Sequence, residues 1–207
     1  MEIRLEHLTV RFGQKTVFSD FSLHLPVRSH LLVTGSSGSG KSTLLKLLLG
    51  FCVPDQGQIV IGGQTVNPRT IWQLRQRIAY VPQRLPSVAG TARDLLEHLH
   101  QFQANQTLRF SKQAALAYFA DFGLQPDQLQ QPVRELSGGE QQRLAIISAL
   151  LLQRDLLLLD EATSAVDADR KVQVMDYLSG LKDQTMIIVA HDQGWQADHI
   201  LDLSQSD

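Results

Sequence analysis

The nine residues GSSGSGKST, starting at Gly35, constrain this chain more than any other stretch. They follow the apolar run HLLVTG and open the run KSTLLKLLLG, so a core strand must pass through a glycine-rich turn straight into a helix. Gly35, Gly40, Lys41 and Ser42 meet the pattern G-x-x-x-x-G-K-[ST] in the strand-to-helix context that the pattern needs. Glycines there let backbone N–H groups surround phosphate oxygens with no Cβ in the way, and the helix start adds partial positive charge. Lys41 is then expected to meet β- and γ-phosphates, and the Ser42 hydroxyl to ligate Mg²⁺. A merely flexible turn would leave Lys41 without a task.

Around this unit the chain alternates strand and helix patterns, which predicts an α/β fold with a mainly parallel sheet. EIRLEHLTVRF and VFSDFSLHL read as amphipathic strands ahead of it, while GQIVIGGQ, RIAYVPQ, LLLLDE, TMIIVAHD and HILDL read as later strands. TARDLLEHLHQF and SKQAALAYFADF carry helix periodicity, so residues 86–136 are expected to form a helical subdomain inserted between 1–85 and 137–207. At 207 residues a single domain is the default. A net charge of -2 with no basic stripe gives no reason to expect nucleic acid as a partner. Cys52, the one cysteine, cannot close an internal disulfide and is assigned to packing; with no apolar leader pattern, the expected location is cytoplasmic. No apolar run approaches the roughly 20 residues of a membrane span, so any membrane role must come through a partner.

A second constellation ends the strand LLLLDE, where Asp160 is expected to hold Mg²⁺ on a strand adjacent to the phosphate loop. Glu161 is expected to align and polarise the attacking water. Gln83, after a strand, can ligate Mg²⁺ or position water, or be a plain loop amide. His191 can bond a γ-phosphate oxygen, or be structural. Phe12 can stack on a base, or be a core aromatic. His98 and His100 complete no metal cluster, and Trp72 and Trp195 are assigned to packing or surface. RELSGGEQQRLA raises a further point: Ser137 and two glycines before an amphipathic run prepare a second helix start for an anion, in a chain that already has one phosphate cradle.

Over essentially its whole length the chain resembles the ATP-binding subunit of ABC transporters. Phe12 falls at the family's adenine-stacking aromatic. Gly35, Ser36, Ser37, Gly38, Ser39, Gly40, Lys41, Ser42 and Thr43 match the Walker A loop, and Gln83 the Q-loop glutamine. Residues 136–140, with Ser137, Gly138, Gly139 and Glu140, match the signature motif; 156–161 match Walker B, 164–167 with Asp167 the D-loop, and His191 the switch histidine. The resemblance implies a RecA-like P-loop NTPase core with N-terminal antiparallel strands, and ATP hydrolysis with Mg²⁺. It also implies head-to-tail pairing, as a homodimer or with a second ATP-binding subunit, so that the second cradle covers the partner's nucleotide. A separate transmembrane permease is implied, with residues 86–91 as the contact stretch and the chain peripheral on the inner face of the cell membrane. Ala162 stands where many importer subunits have proline, and Val166 where leucine is common. The short length and GTARDLL are similar to bacterial iron-export ATP-binding proteins, while direction of transport stays open. The alternative is a regulatory ATPase clamp on a membrane complex that transports nothing.

Overall fold

Strand alternation at the N-terminus changes parity partway: Ile3 and Leu5 are buried, and so are Leu8 and Val10. A strict two-residue period would turn Leu8 outward. The computed structural model, which describes residues 1–86, 88–191 and 194–205, resolves this with a bulge. In β1 (Ile3–Phe12) the register against β2 (Lys15–Leu25) shifts between Leu5 and Leu8, and His7 takes a left-handed φ of 52°. Opposite the bulge lies Gly57 of β4 (Gln56–Ile61), at φ 84°; a Cβ there would stand 2.3 Å from the Glu6 carbonyl oxygen and 2.4 Å from that of His7. Only glycine allows the two backbones to approach so closely. With β5 (Gln64–Thr65) these strands form an antiparallel sheet in the order β2-β1-β4-β5.

A second sheet is parallel in every pairing and has the order β6-β7-β8-β3-β9. Its strands are β3 (His30–Thr34), β6 (Ile78–Val81), β7 (Leu156–Asp160), β8 (Thr185–Val189) and β9 (His199–Asp202). The all-apolar runs of β7 and β8 suit central strands covered on both faces. Alternate residues divide between two cores. Leu156, Leu158, Ile187 and Val189 join Leu31 and Val33 of β3, the helix α1 (Lys41–Leu48) and the antiparallel sheet. Leu157, Leu159, Met186 and Ile188 face α5 (Gly138–Leu151) and α6 (Ala168–Ser179).

One expectation needs correcting. The strand that carries Asp160 does not adjoin the phosphate-loop strand, because β8 lies between β7 and β3. Four consecutive apolar residues, 156–159 in β7 and 186–189 in β8, make up most of each strand, so composition could not order them.

The helices α3 (Ala92–Gln101) and α4 (Lys112–Asp121) pack beside α5, and Ala92, Leu96, Ala115 and Phe119 belong to the same apolar cluster as Leu157 and Ile188. Among the described residues, a short helix α2 (Ile71–Arg75) and four 3₁₀ turns are too brief to show a period in the sequence. Among the described residues, no helix is long and apolar enough to cross a membrane. Leu158 has no exposed surface and touches neighbours on both sides of its strand. Leu158→Ala should therefore lower unfolding free energy by about 2–5 kcal/mol in urea titration with the m-value unchanged.

Candidate functional site

Because β6, β7, β8 and β3 run parallel, their C-terminal ends share one edge, and the expected site residues follow those ends. After β3 the loop carries Gly35, Gly38 and Gly40 at φ 143°, 79° and 109°. It delivers Gly40 as the N-cap of α1, which has no side-chain cap and no acidic residue in its first turn. The other long helices differ. Thr91, Ser111, Ser137 and Asp167 each accept a backbone N–H at the start of α3, α4, α5 and α6. A helix start without a capping oxygen presents bare N–H groups and its partial positive charge, the condition an anion would satisfy.

The rest of the loop agrees. A Cβ on Gly35 would lie 2.6 Å from Ser39 Oγ, and that hydroxyl oxygen is buried with no hydrogen-bond partner among the described residues. The Lys41 ammonium, on a residue only 7% exposed, donates to the carbonyls of Gly35 at 2.7 Å and Ser36 at 3.0 Å. With three donors, it retains one for another acceptor. Lys15 Nζ braces the loop from β2 through the Gly38 carbonyl at 3.0 Å. Ser36, Ser37 and Ser42 are exposed and Thr43 is half-buried.

At the ends of β6, β7 and β8 three side chains converge. Gln83 Nε2 donates to Glu161 Oε2 at 2.6 Å, and His191 Nε2 lies 3.2 Å from Glu161 Oε1. Glu161 has left the strand: its φ is 49°, and its N–H donates to the Val189 carbonyl at 2.9 Å. A left-handed glutamate is strained and persists only where its surroundings hold it.

Asp160, the last residue of β7, accepts a hydrogen bond from the Tyr80 hydroxyl at 3.1 Å. Burial above all holds its carboxyl above the usual range; the Tyr80 bond opposes this, Glu161 adds to it, and the Lys41 and Lys46 charges oppose it. Burial, then the Asp160 charge, pushes the Tyr80 phenol up to about 12. Sequence reasoning missed Tyr80, whose only signal was a phenol three residues before Gln83 on a short strand. Phe12 is 52% exposed at the end of β1, so of its two readings the core aromatic does not hold.

The second helix start is built differently. Ser137 Oγ accepts from Glu140 N–H, while Glu140 Oε2 accepts from Ser137 N–H and Oε1 from Gln128 Nε2. Burial opposes ionisation of Glu140, but the Ser137 and Gln128 hydrogen bonds and the Arg143 charge hold its carboxyl below the usual range. Glu140 is thus the partner of its own helix start, and Asp167 likewise caps α6 through Arg170 N–H. Gly138 and Gly139 N–H have no side-chain acceptor among the described residues. Gly139 also has a reason within the chain: a Cβ would sit 2.8 Å from the Ala165 carbonyl oxygen. No hydrogen bond among the described residues joins residues 137–140 to the 35–43 loop.

Residues 18–164 match the family model described as ABC transporter. The chain is similar to the lactococcin-G-processing and transport ATP-binding protein LagD of Lactococcus lactis subsp. lactis, at 36% identity over 203 residues, covering 92% of this chain and 28% of that protein. It is similar to the ergothioneine transport ATP-binding protein EgtV of Helicobacter pylori (strain G27), at 33% identity over 203 residues, 92% of this chain and 90% of that protein. A solved bacterial Atm1-family ABC exporter with ATP bound has the same fold, with a TM-score of 0.82 at 26% identity over 98% of this chain and 37% of that one. The chain therefore spans little more than a quarter of the first relative and nearly all of the second.

The loop's geometry can be tested directly. A Cβ on Gly40 would lie 2.8 Å from Val17 Cγ1 and 3.1 Å from the Phe18 ring, at a φ that side chains rarely adopt. Gly40→Ala should lose at least about 1 kcal/mol of stability. It should also bind a fluorescent triphosphate about tenfold more weakly, as expected when a charge-assisted backbone hydrogen bond is displaced.

Proposed function

The chain belongs to the ABC transporter family, and we propose that within it this protein binds and hydrolyses ATP to drive a transporter. The observation that carries this reading is the meeting, at one sheet edge, of an uncapped glycine-loop helix start with the Gln83–Glu161–His191 cluster. The loop residues 35–43 cradle the triphosphate, with Lys41 on its outer phosphates and Phe12 against the base. Glu161 takes the proton of the attacking water, and His191 and Gln83 set its carboxylate orientation. Ser42, Asp160 and Gln83 would hold Mg²⁺, which supplies charge neutralisation on the triphosphate. An oxygen donor set with few carboxylates suits an ion that keeps most of its water, and among the described residues no three His, Cys, Asp or Glu side chains are grouped so as to hold a metal ion.

Two such chains, or one with a second ATP-binding subunit, pair head to tail so that Ser137, Gly138 and Gly139 cover the triphosphate held by the other. The free Gly138 and Gly139 N–H groups support this, whereas Glu140 and Asp167 act through the caps that fix those segments. Nucleotide bound between two subunits favours the closed pair by its differential affinity, and loss of the γ-phosphate removes that preference. Nucleic acid has no place in this cycle.

The pair works on a transmembrane permease, which places the chain in the cytoplasm, peripheral on the inner face of the cell membrane. Exposed Phe51, Val53 and Trp72, with Arg75 stacked on both rings, support an apolar partner on that flank. The contact stretch 86–91 belongs to the same reading, although Ser87 lies outside the described residues. Residues 86–136 act as the inserted helical subdomain that carries motion between permease and signature helix. The iron-export likeness gains no support, since the relatives above are named for lactococcin G and ergothioneine.

Glu161→Gln should keep ATP affinity, lose at least about 10²-fold in turnover and accumulate as an ATP-bound dimer in light scattering; ordinary turnover would refute its role as base. Ser137→Arg should impair hydrolysis while nucleotide binding by the monomer stays as in the wild type, and lost binding would argue against a lid acting on the other subunit.

A further inference from the structure

Gln142 lies five residues into α5 from its Ser137 cap and is only 5% exposed. Its amide reaches four partners on three other segments. Nε2 donates to the Gln83 carbonyl at 3.0 Å and to Ser164 Oγ at 3.0 Å, with the Glu161 carbonyl a weaker third acceptor at 3.4 Å. Oε1 accepts from Ala165 N–H at 2.8 Å. Both N–H donors and one lone pair of the carbonyl oxygen are thus engaged, three of the four hydrogen bonds such a side chain can make.

The segments it joins carry different parts of the site: the loop of Gln83, the left-handed turn of Glu161, and residues 164–165 at the start of the stretch that ends in Asp167. The helix it stands on presents Ser137, Gly138 and Gly139. Close backbone packing supports the same junction, since Gly139 leaves room for the Ala165 carbonyl. Left-handed Glu161 cannot have its direction set by strand continuation, so the groups that hold its backbone decide where its carboxylate points.

We propose that Gln142 is a positioning residue for ATP hydrolysis, locking the tip of the signature helix to the backbone of Gln83, Glu161 and Ala165 so that each chain's lid and its hydrolytic glutamate move as one body. This rests on the ATPase reading above. None of its hydrogen bonds reaches the 35–43 loop, and it meets Gln83 and Glu161 only at their backbone carbonyls, so its effect must pass through the groups it holds.

Gln142→Met keeps similar volume but offers no donor and only a weak sulfur acceptor, leaving the Gln83 carbonyl without its buried partner and the Ala165 N–H without a strong one. In steady-state ATPase assays its kcat should fall at least about tenfold, with KM and monomer affinity for a fluorescent ATP analogue unchanged within about twofold. In the wild type, the Ala165 amide should be protected in hydrogen-exchange NMR although the residue is exposed, and that protection should vanish in the variant. A kcat within about twofold of wild type, or a rapidly exchanging Ala165 amide in the wild type, would overturn the inference. Should Gln142→Met not fold, Gln142→Glu, which keeps the acceptor for Ala165 but loses the donors, decides by the same kcat and KM criteria together with the wild-type exchange measurement. A wild-type protein with no ATPase activity would instead sink the ATPase reading, and the Ala165 exchange rate would then decide separately whether the junction exists.

Discussion

A helix that begins without a capping oxygen leaves a local electrostatic demand unmet, and the start of α1 at Gly40 is the one on which the proposed chemistry depends. Its N–H groups point out of a loop whose glycines occupy left-handed backbone, beside a lysine buried against carbonyl oxygens and a serine hydroxyl with no partner among the described residues. Such a loop is less satisfied alone than with an anion in it. The antiparallel sheet packs tightly against it: Val17 and Phe18 leave no room for a side chain at Gly40.

The start of α5 answers the same demand in the opposite way. Ser137 and Glu140 close a capping box, and Gln128 holds the glutamate from outside. This makes the tip rigid and orients it, while the next two N–H groups have no side-chain acceptor among the described residues. A rigid tip with free N–H groups suits a lid that must arrive already shaped, since ordering it on arrival would reduce the binding gain. Two anion-ready helix starts in one chain thus have different structural states, one open and one pre-set.

Between them lies the glutamate cluster. Gln83 and His191 both hold the Glu161 carboxylate, and Gln142 holds the backbone beneath it. In the proposed cycle, Gln83 and His191 would thus both meet the triphosphate and orient the Glu161 carboxylate, joining the two through hydrogen bonds. Tyr80 does the comparable service for Asp160 from the neighbouring strand.

Much of this was legible in the residues because it is local. The GSSGSGKST loop, the Ser137 helix start and the acid pair ending LLLLDE each depend on groups within a few positions of one another, where backbone geometry leaves few choices. The tertiary structure alone decided the insertion of β8 between β7 and β3, the outward turn of Phe12, the Tyr80–Asp160 bond and the Gln142 junction. Two equally apolar strands carry no mark of which is nearer the phosphate loop. A buried amide whose partners lie 19 to 59 residues away is specified only when packing brings those segments together.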